Sequence, residues 1–114
     1  MIRPQSRPTL TPGHLTIARR IEADEVSLTV GGEIDLISAH ALESALRDAE
    51  SPRPGRIVLD LAALNFIDSS GIHMLIHARQ RADANGQQLV LTHVPAHAQR
   101  VFGLIGVSAR LTVE

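Results

Sequence analysis

Asn65-Phe66-Ile67-Asp68-Ser69-Ser70-Gly71-Ile72-His73-Met74-Leu75 is the stretch on which the reading of this chain turns. It follows the apolar run Ile57-Val58-Leu59-Asp60-Leu61, which suits a buried strand in a parallel sheet. It opens an amphipathic segment with Ile72, Leu75, Ile76 and Arg79 on one helical stripe, the arginine stem being able to cover apolar surface. Asp68-Ser69-Ser70-Gly71 therefore marks a strand-to-helix corner. Aspartate and serine suit this position because their side-chain oxygens accept from the free N–H groups of a first helical turn. The same N–H groups and the helix dipole favour an anion there. A hydroxyl at such a corner is either a cap alone or a place where a phosphoryl group can be attached and tolerated.

Working outward, Leu89-Val90-Leu91 is a second short buried strand after the helix signal Asn85-Gly86. A strand–helix–strand unit crosses over right-handedly, so these two strands are expected to be parallel. Upstream, Val26, Leu28 and Val30 alternate with polar or small residues, and Leu15, Ile17 and Ile21 form a partner pattern. They predict two antiparallel strands turning near Ala23-Asp24, the second ending at Gly31-Gly32. Ser38 is the expected cap of a first helix carrying Leu42, Ala45, Leu46 and Ala49. Pro95 fits the first turn of a third helix with Ala98, Val101, Phe102 and Ile105, stopped by Gly106. Leu111 and Val113 can supply a last strand. The order is β-β-α-β-α-β-α-β, an α/β layered domain. Residues 1–13, with Pro4, Pro8 and Pro12, read as a flexible N-terminal arm, and residues 14–114 as the folded domain.

Composition excludes several functions. With 114 residues there is enough chain for one core. The absence of cysteine removes disulfides, thiolate metal sites and cysteine catalysis. Its basic residues are all arginine and scattered, and there is no tryptophan or tyrosine, which argues against direct nucleic-acid binding. No apolar run reaches the ~20 residues of a membrane span, so no membrane insertion is expected. A cytoplasmic protein is the expectation, since the N-terminus shows no charged-then-apolar signal pattern. Ser69 lacks a Gly-x-Ser-x-Gly elbow, and Asp68 beside it is badly placed to orient a histidine base. His73 and His77 have a spacing that can hold a metal, as do His93 and His97, but nothing in register completes either set. They are expected to be exposed surface histidines. No catalytic residue, metal or cofactor is expected.

Gly32-Glu33-Ile34-Asp35, Ser38-Ala39 and Phe66-Ile67-Asp68-Ser69-Ser70-Gly71 together resemble the STAS domain of bacterial anti-sigma factor antagonists. The likeness continues through Gly86-Gln87-Gln88-Leu89-Val90-Leu91, Pro95 and Val101-Phe102-Gly103-Leu104-Ile105-Gly106-Val107, and it covers about residues 13 to 114. The resemblance implies a STAS-type mixed β-sheet with helices packed on it. It implies a regulatory binding module rather than an enzyme. Its partner would be an anti-sigma factor that is also a serine kinase, and a serine phosphatase would reverse the modification. The phosphorylated residue would be Ser69, directly after the aspartate. Glu33, Asp35, Asp68, Ser69, Ser70, Gly71 and His73 would form the docking surface. His73 departs from the family, which commonly has glycine there. A different function on the same fold is a constitutive adaptor subunit of a membrane transport or stress-signalling complex, insensitive to change at Ser69. A third reading makes Ser69 a helix cap and nothing more. Neither the sigma factor nor the oligomeric state is legible in the sequence.

Overall fold

The computed structural model describes residues 9–11 and 14–114. A hairpin of β2 (Leu15–Glu22) and β3 (Glu25–Ile34) starts the domain, turning at Ala23-Asp24 as expected. Ala23 adopts φ 50°, the left-handed conformation such a tight turn needs. Helix α1 (Ser38–Glu50) crosses to β4 (Arg56–Ile67), which lies parallel to β3. Helix α2 (Ser69–Ala84) crosses to β5 (Gln88–Thr92), parallel to β4. Helix α3 (Ala96–Leu104) and a 3-10 turn at Ser108–Arg110 complete the chain. With β1 (Thr9–Thr11) antiparallel to β2, the sheet order is β1-β2-β3-β4-β5, so the α/β class and mixed sheet are as expected.

Strand β1 falls inside the stretch expected to be a loose arm. Its pairing with β2 replaces that expectation at Thr9–Thr11; the rest of the expected arm lies outside the described residues. The expected last strand is reduced to a single parallel bridge, Leu91 with Val113. There the Leu91 N–H donates to the Thr112 carbonyl and the Glu114 N–H to the Leu91 carbonyl, both at 2.8 Å.

One core cluster joins the layers. Leu15, Val26, Leu28, Ile57, Leu59 and Leu61 from the sheet meet Leu42 and Leu46 of α1 and Ile72 and Leu75 of α2, all essentially sealed from solvent. Each such side chain contributes about 1.5–3 kcal/mol of transfer free energy.

Strands β3 and β4 run further than the sequence pattern implied. Gly31-Gly32 does not end β3, and β4 does not stop at Leu61. Two register shifts, between Thr29 and Gly31 and between Gly32 and Glu33, absorb the mismatch and let the parallel pairing continue to Ile34 and Ile67. A bulge of this kind needs a residue free to leave ordinary β geometry. Both shifts put the extra residue on β4, and on the facing strand Gly32 leaves ordinary β geometry with φ +91°, where a Cβ would collide with the His14 carbonyl oxygen. Gly32→Ala is therefore expected to cost more than about 2 kcal/mol, from left-handed strain and overpacking together. Urea denaturation checks this, with a lowered midpoint at unchanged slope as the expected result.

Candidate functional site

The bulges have a geometric result. Ile34 and Ile67 end adjacent parallel strands in register, so the next residues, Asp35 and Asp68, start helices α1 and α2 side by side. The Asp68 N–H donates to the Ile34 carbonyl at 3.0 Å, which pins the two corners together.

Each aspartate caps its helix. Asp68 Oδ1 accepts from the Gly71 N–H at 3.1 Å. Asp35 Oδ1 accepts from the N–H groups of Ile37 (3.0 Å) and Ser38 (2.9 Å), and its carbonyl accepts the first helical bond, from Ala39, at 2.8 Å. The cap of α1 is thus Asp35 and not Ser38. Ser38 is buried three residues on, where its hydroxyl oxygen accepts from the Asp35 N–H at 2.9 Å. That hydroxyl donates to the Glu33 carbonyl at 2.8 Å. This is a capping box with aspartate as the cap and serine reaching back.

The hydrogen bonds from the Ser38 and Ile37 N–H groups hold the Asp35 carboxyl below its ordinary pKa. A carboxyl whose folded pKa is depressed stabilises the fold above its unfolded pKa, near pH 4, and that contribution is lost as pH falls through the folded value. Acid melting should therefore steepen below about pH 4. Asp35→Asn, which can still cap, is expected to flatten that limb in a series of melting temperatures from pH 7 to pH 2.5.

Ser69 and Ser70 are the first two residues of α2. Ser69 is exposed, and its hydroxyl makes no hydrogen bond among the described residues. Ser70 is half-buried and faces a shallow groove between α1 and α2. That groove is lined by His40 and Glu43 from α1 and by Ser70, His73 and His77 from α2, with Met74 beneath. Gly71 is buried because α2 starts in contact with both strand ends. A Cβ there would meet Ile34 Cγ2 at 2.6 Å and Ile67 Cγ1 at 2.9 Å.

The residues singled out in the sequence do not all sit alike. Asp35, Asp68, Ser69, Ser70, Gly71 and His73 gather at this one end of the sheet. Glu33 stands just before Ile34 on β3, half-buried, and its carbonyl holds Ser38. His73 is exposed one turn after Ser69. The second histidine pair does not converge: His93 Nδ1 lies 3.3 Å from Asp60, and His97 Nε2 lies 3.0 Å from the Leu64 carbonyl.

Three of the exposed large apolar residues stand around this corner. Leu36 and Ile37, in the loop from β3 to α1, are 67% and 64% exposed, and Phe66 at the end of β4 is 48% exposed. Their signal was present: Leu36-Ile37 sits between a cap and its reciprocal serine, outside both the strand alternation and the helical stripe. Large apolar side chains left in water around a polar corner are a feature of interaction surfaces.

A family model described as Mlab, STAS domain, matches residues 17–113. The chain belongs to the STAS domain family. An anti-sigma-F factor antagonist, RsfB, from Mycobacterium tuberculosis is 38% identical over 64 residues, covering 56% of this chain and 52% of RsfB. The matched stretch is thus about half the length of that curated relative. Among solved structures, an anti-sigma factor antagonist from Mycobacterium paratuberculosis superposes with a TM-score of 0.78 at 24% identity, covering 92% of this STAS chain and 89% of that one. The Bacillus cell fate determinant SpoIIAA in its phosphorylated form superposes with a TM-score of 0.66 at 17% identity, covering 86% and 90%. At those identities the two structures establish the shared fold. Among the described residues, no helix of this STAS chain is long and apolar enough to cross a membrane.

Proposed function

We propose that this STAS domain is an anti-sigma factor antagonist whose unphosphorylated form binds an anti-sigma factor with serine kinase activity and so releases a sigma factor. Phosphorylation of Ser69 by that partner switches it off, and a serine phosphatase restores it. The observation that carries the reading is Ser69 itself: an exposed hydroxyl at the start of a helix whose capping work is done by Asp68. A serine needed for capping is not free to be modified without cost; this one is. The new charge, about −1.5 to −2, falls at a helix N-terminus that tolerates it, so the fold survives. A partner seated on Leu36, Ile37 and the corner meets an unpaired charge instead. RsfB, named an anti-sigma-F factor antagonist, supports this role.

The test uses the unphosphorylated full chain and each kinase-type anti-sigma factor of its own host, purified with its sigma factor bound. For one of them, the chain is expected to displace the sigma factor stoichiometrically. ATP should then phosphorylate Ser69 and reverse the displacement. Failure with every such pair would overturn the proposal.

A further inference from the structure

The groove beside Ser69 is unusual for its histidines. His40 projects into it from α1, and His73 and His77 from α2. All three are exposed. Among the described residues, Glu43 on α1 is the one carboxylate lining it. Arg81 lies 3.8 Å from Glu43 but is held more closely by Glu50, at 3.0 Å. Of the other carboxylates near this end, Asp35 and Asp68 are turned into their helix caps, and Glu33 stands on β3 outside the groove lining. Imidazole is the side chain that gains charge between about pH 8 and pH 5. With its imidazoles protonated, the groove lining carries three positive groups beside the single carboxylate of Glu43. Met74 and Ala39 give it an apolar base, and Ser70 makes it continuous with the Ser69 corner.

We propose that this histidine groove takes an acidic segment of the anti-sigma partner, so that docking on the STAS domain tightens as pH falls. The inference rests on the anti-sigma reading above and specifies the chemistry of the partner's contact. Charge complementarity selects the occupant. A basic segment would be repelled as the imidazoles charge, and a second copy seated by two-fold symmetry would bring the same histidines against each other. One imidazolium–carboxylate pair at a surface changes affinity about two- to threefold, so three change it by about tenfold. Ser70 in the same lining gives the groove a direct link to the switch: a phosphoryl group at the corner competes for the cations that would otherwise hold the partner's carboxylates.

The experiment measures Kd at constant ionic strength from pH 8 to pH 6, using the unphosphorylated chain and the anti-sigma factor identified by sigma displacement. About tenfold tightening is expected for the wild type. The triple variant His40→Gln, His73→Gln, His77→Gln should lose the slope, and each single variant should lose part of it. His93→Gln, whose imidazole pairs with Asp60 away from the groove, should keep it. Circular dichroism melting of each variant reports whether it folds, and the single variants keep the test alive if the triple one does not. A flat wild-type profile with binding intact overturns the proton-coupled groove, as does an undiminished slope in the folded triple variant. Absence of binding at every pH is a different result: it removes the anti-sigma reading, and this inference with it.

Discussion

Phosphoserine at position 69, or Ser69→Asp, is expected to weaken binding to the anti-sigma partner by at least about 100-fold, or about 2.7 kcal/mol. The domain should unfold at the same temperature within a few degrees or slightly higher. Both halves follow from the geometry of the corner. Asp68 supplies the α2 cap, so nothing holding the helix is lost when Ser69 changes. A negative group in the first turn faces the positive end of the helix dipole, which favours it by about 0.3–1 kcal/mol at an exposed site. At a docked interface the same group loses its solvent, and the nearby imidazoles cannot pair both it and the partner's carboxylates; a charge left unpaired there costs about 2–5 kcal/mol. Ser69→Asn, similar in size and uncharged, separates charge from bulk and should retain most of the binding. Isothermal titration with each variant, paired with thermal melts, checks both halves. If Ser69 were only a cap, Ser69→Ala would lower stability by about 1 kcal/mol and binding would not respond.

The second large effect is expected at Leu36 and Ile37. Replacing both by serine should lower affinity by about 30-fold or more, the scale of an apolar anchor at the centre of an interface. Stability should stay within about 0.5 kcal/mol of the wild type, because neither side chain belongs to the core. A surface with no partner would show neither loss. The contrast with Gly32 is useful: that residue is needed for the fold, whereas Leu36 and Ile37 are available for recognition.

Much of this was legible in the sequence for physical reasons. The alternation through Val26, Leu28 and Val30, the apolar run at Ile57–Leu61 and the helix stop at Asn85-Gly86 are local signals, and the hairpin, the central strand and α2 appeared where they pointed. The corner at Asp68 to Gly71 was legible because capping chemistry is local. What escaped depended on pairing. Nothing in Gly31-Gly32 distinguishes a strand end from a bulge until β4 lies beside it; the glycines that read as punctuation instead carry the pairing on to Ile34 and Ile67. Thr9–Thr11 carries too little pattern to announce β1, which exists because β2 offers an edge. Ser38 reads as a cap because serine caps well, but Asp35 three residues earlier completes a box that only the backbone path reveals. The adjacency of the two capped helix starts, and with it the histidine groove, is a product of the parallel register of β3 and β4. No spacing within one helix could disclose that His40 and His73 share a groove.

The most direct measurement of the central claim is the phosphorylation state of this protein isolated from its own cells, mapped by intact mass and fragmentation during growth and under stress. The account predicts that a single phosphoryl group sits on Ser69 and that its occupancy changes between the two conditions. Ser69 unmodified in every condition, with a partner still co-purifying, would contradict the switch. The domain would then be a constitutive STAS adaptor, and the identity of the partner would say of what.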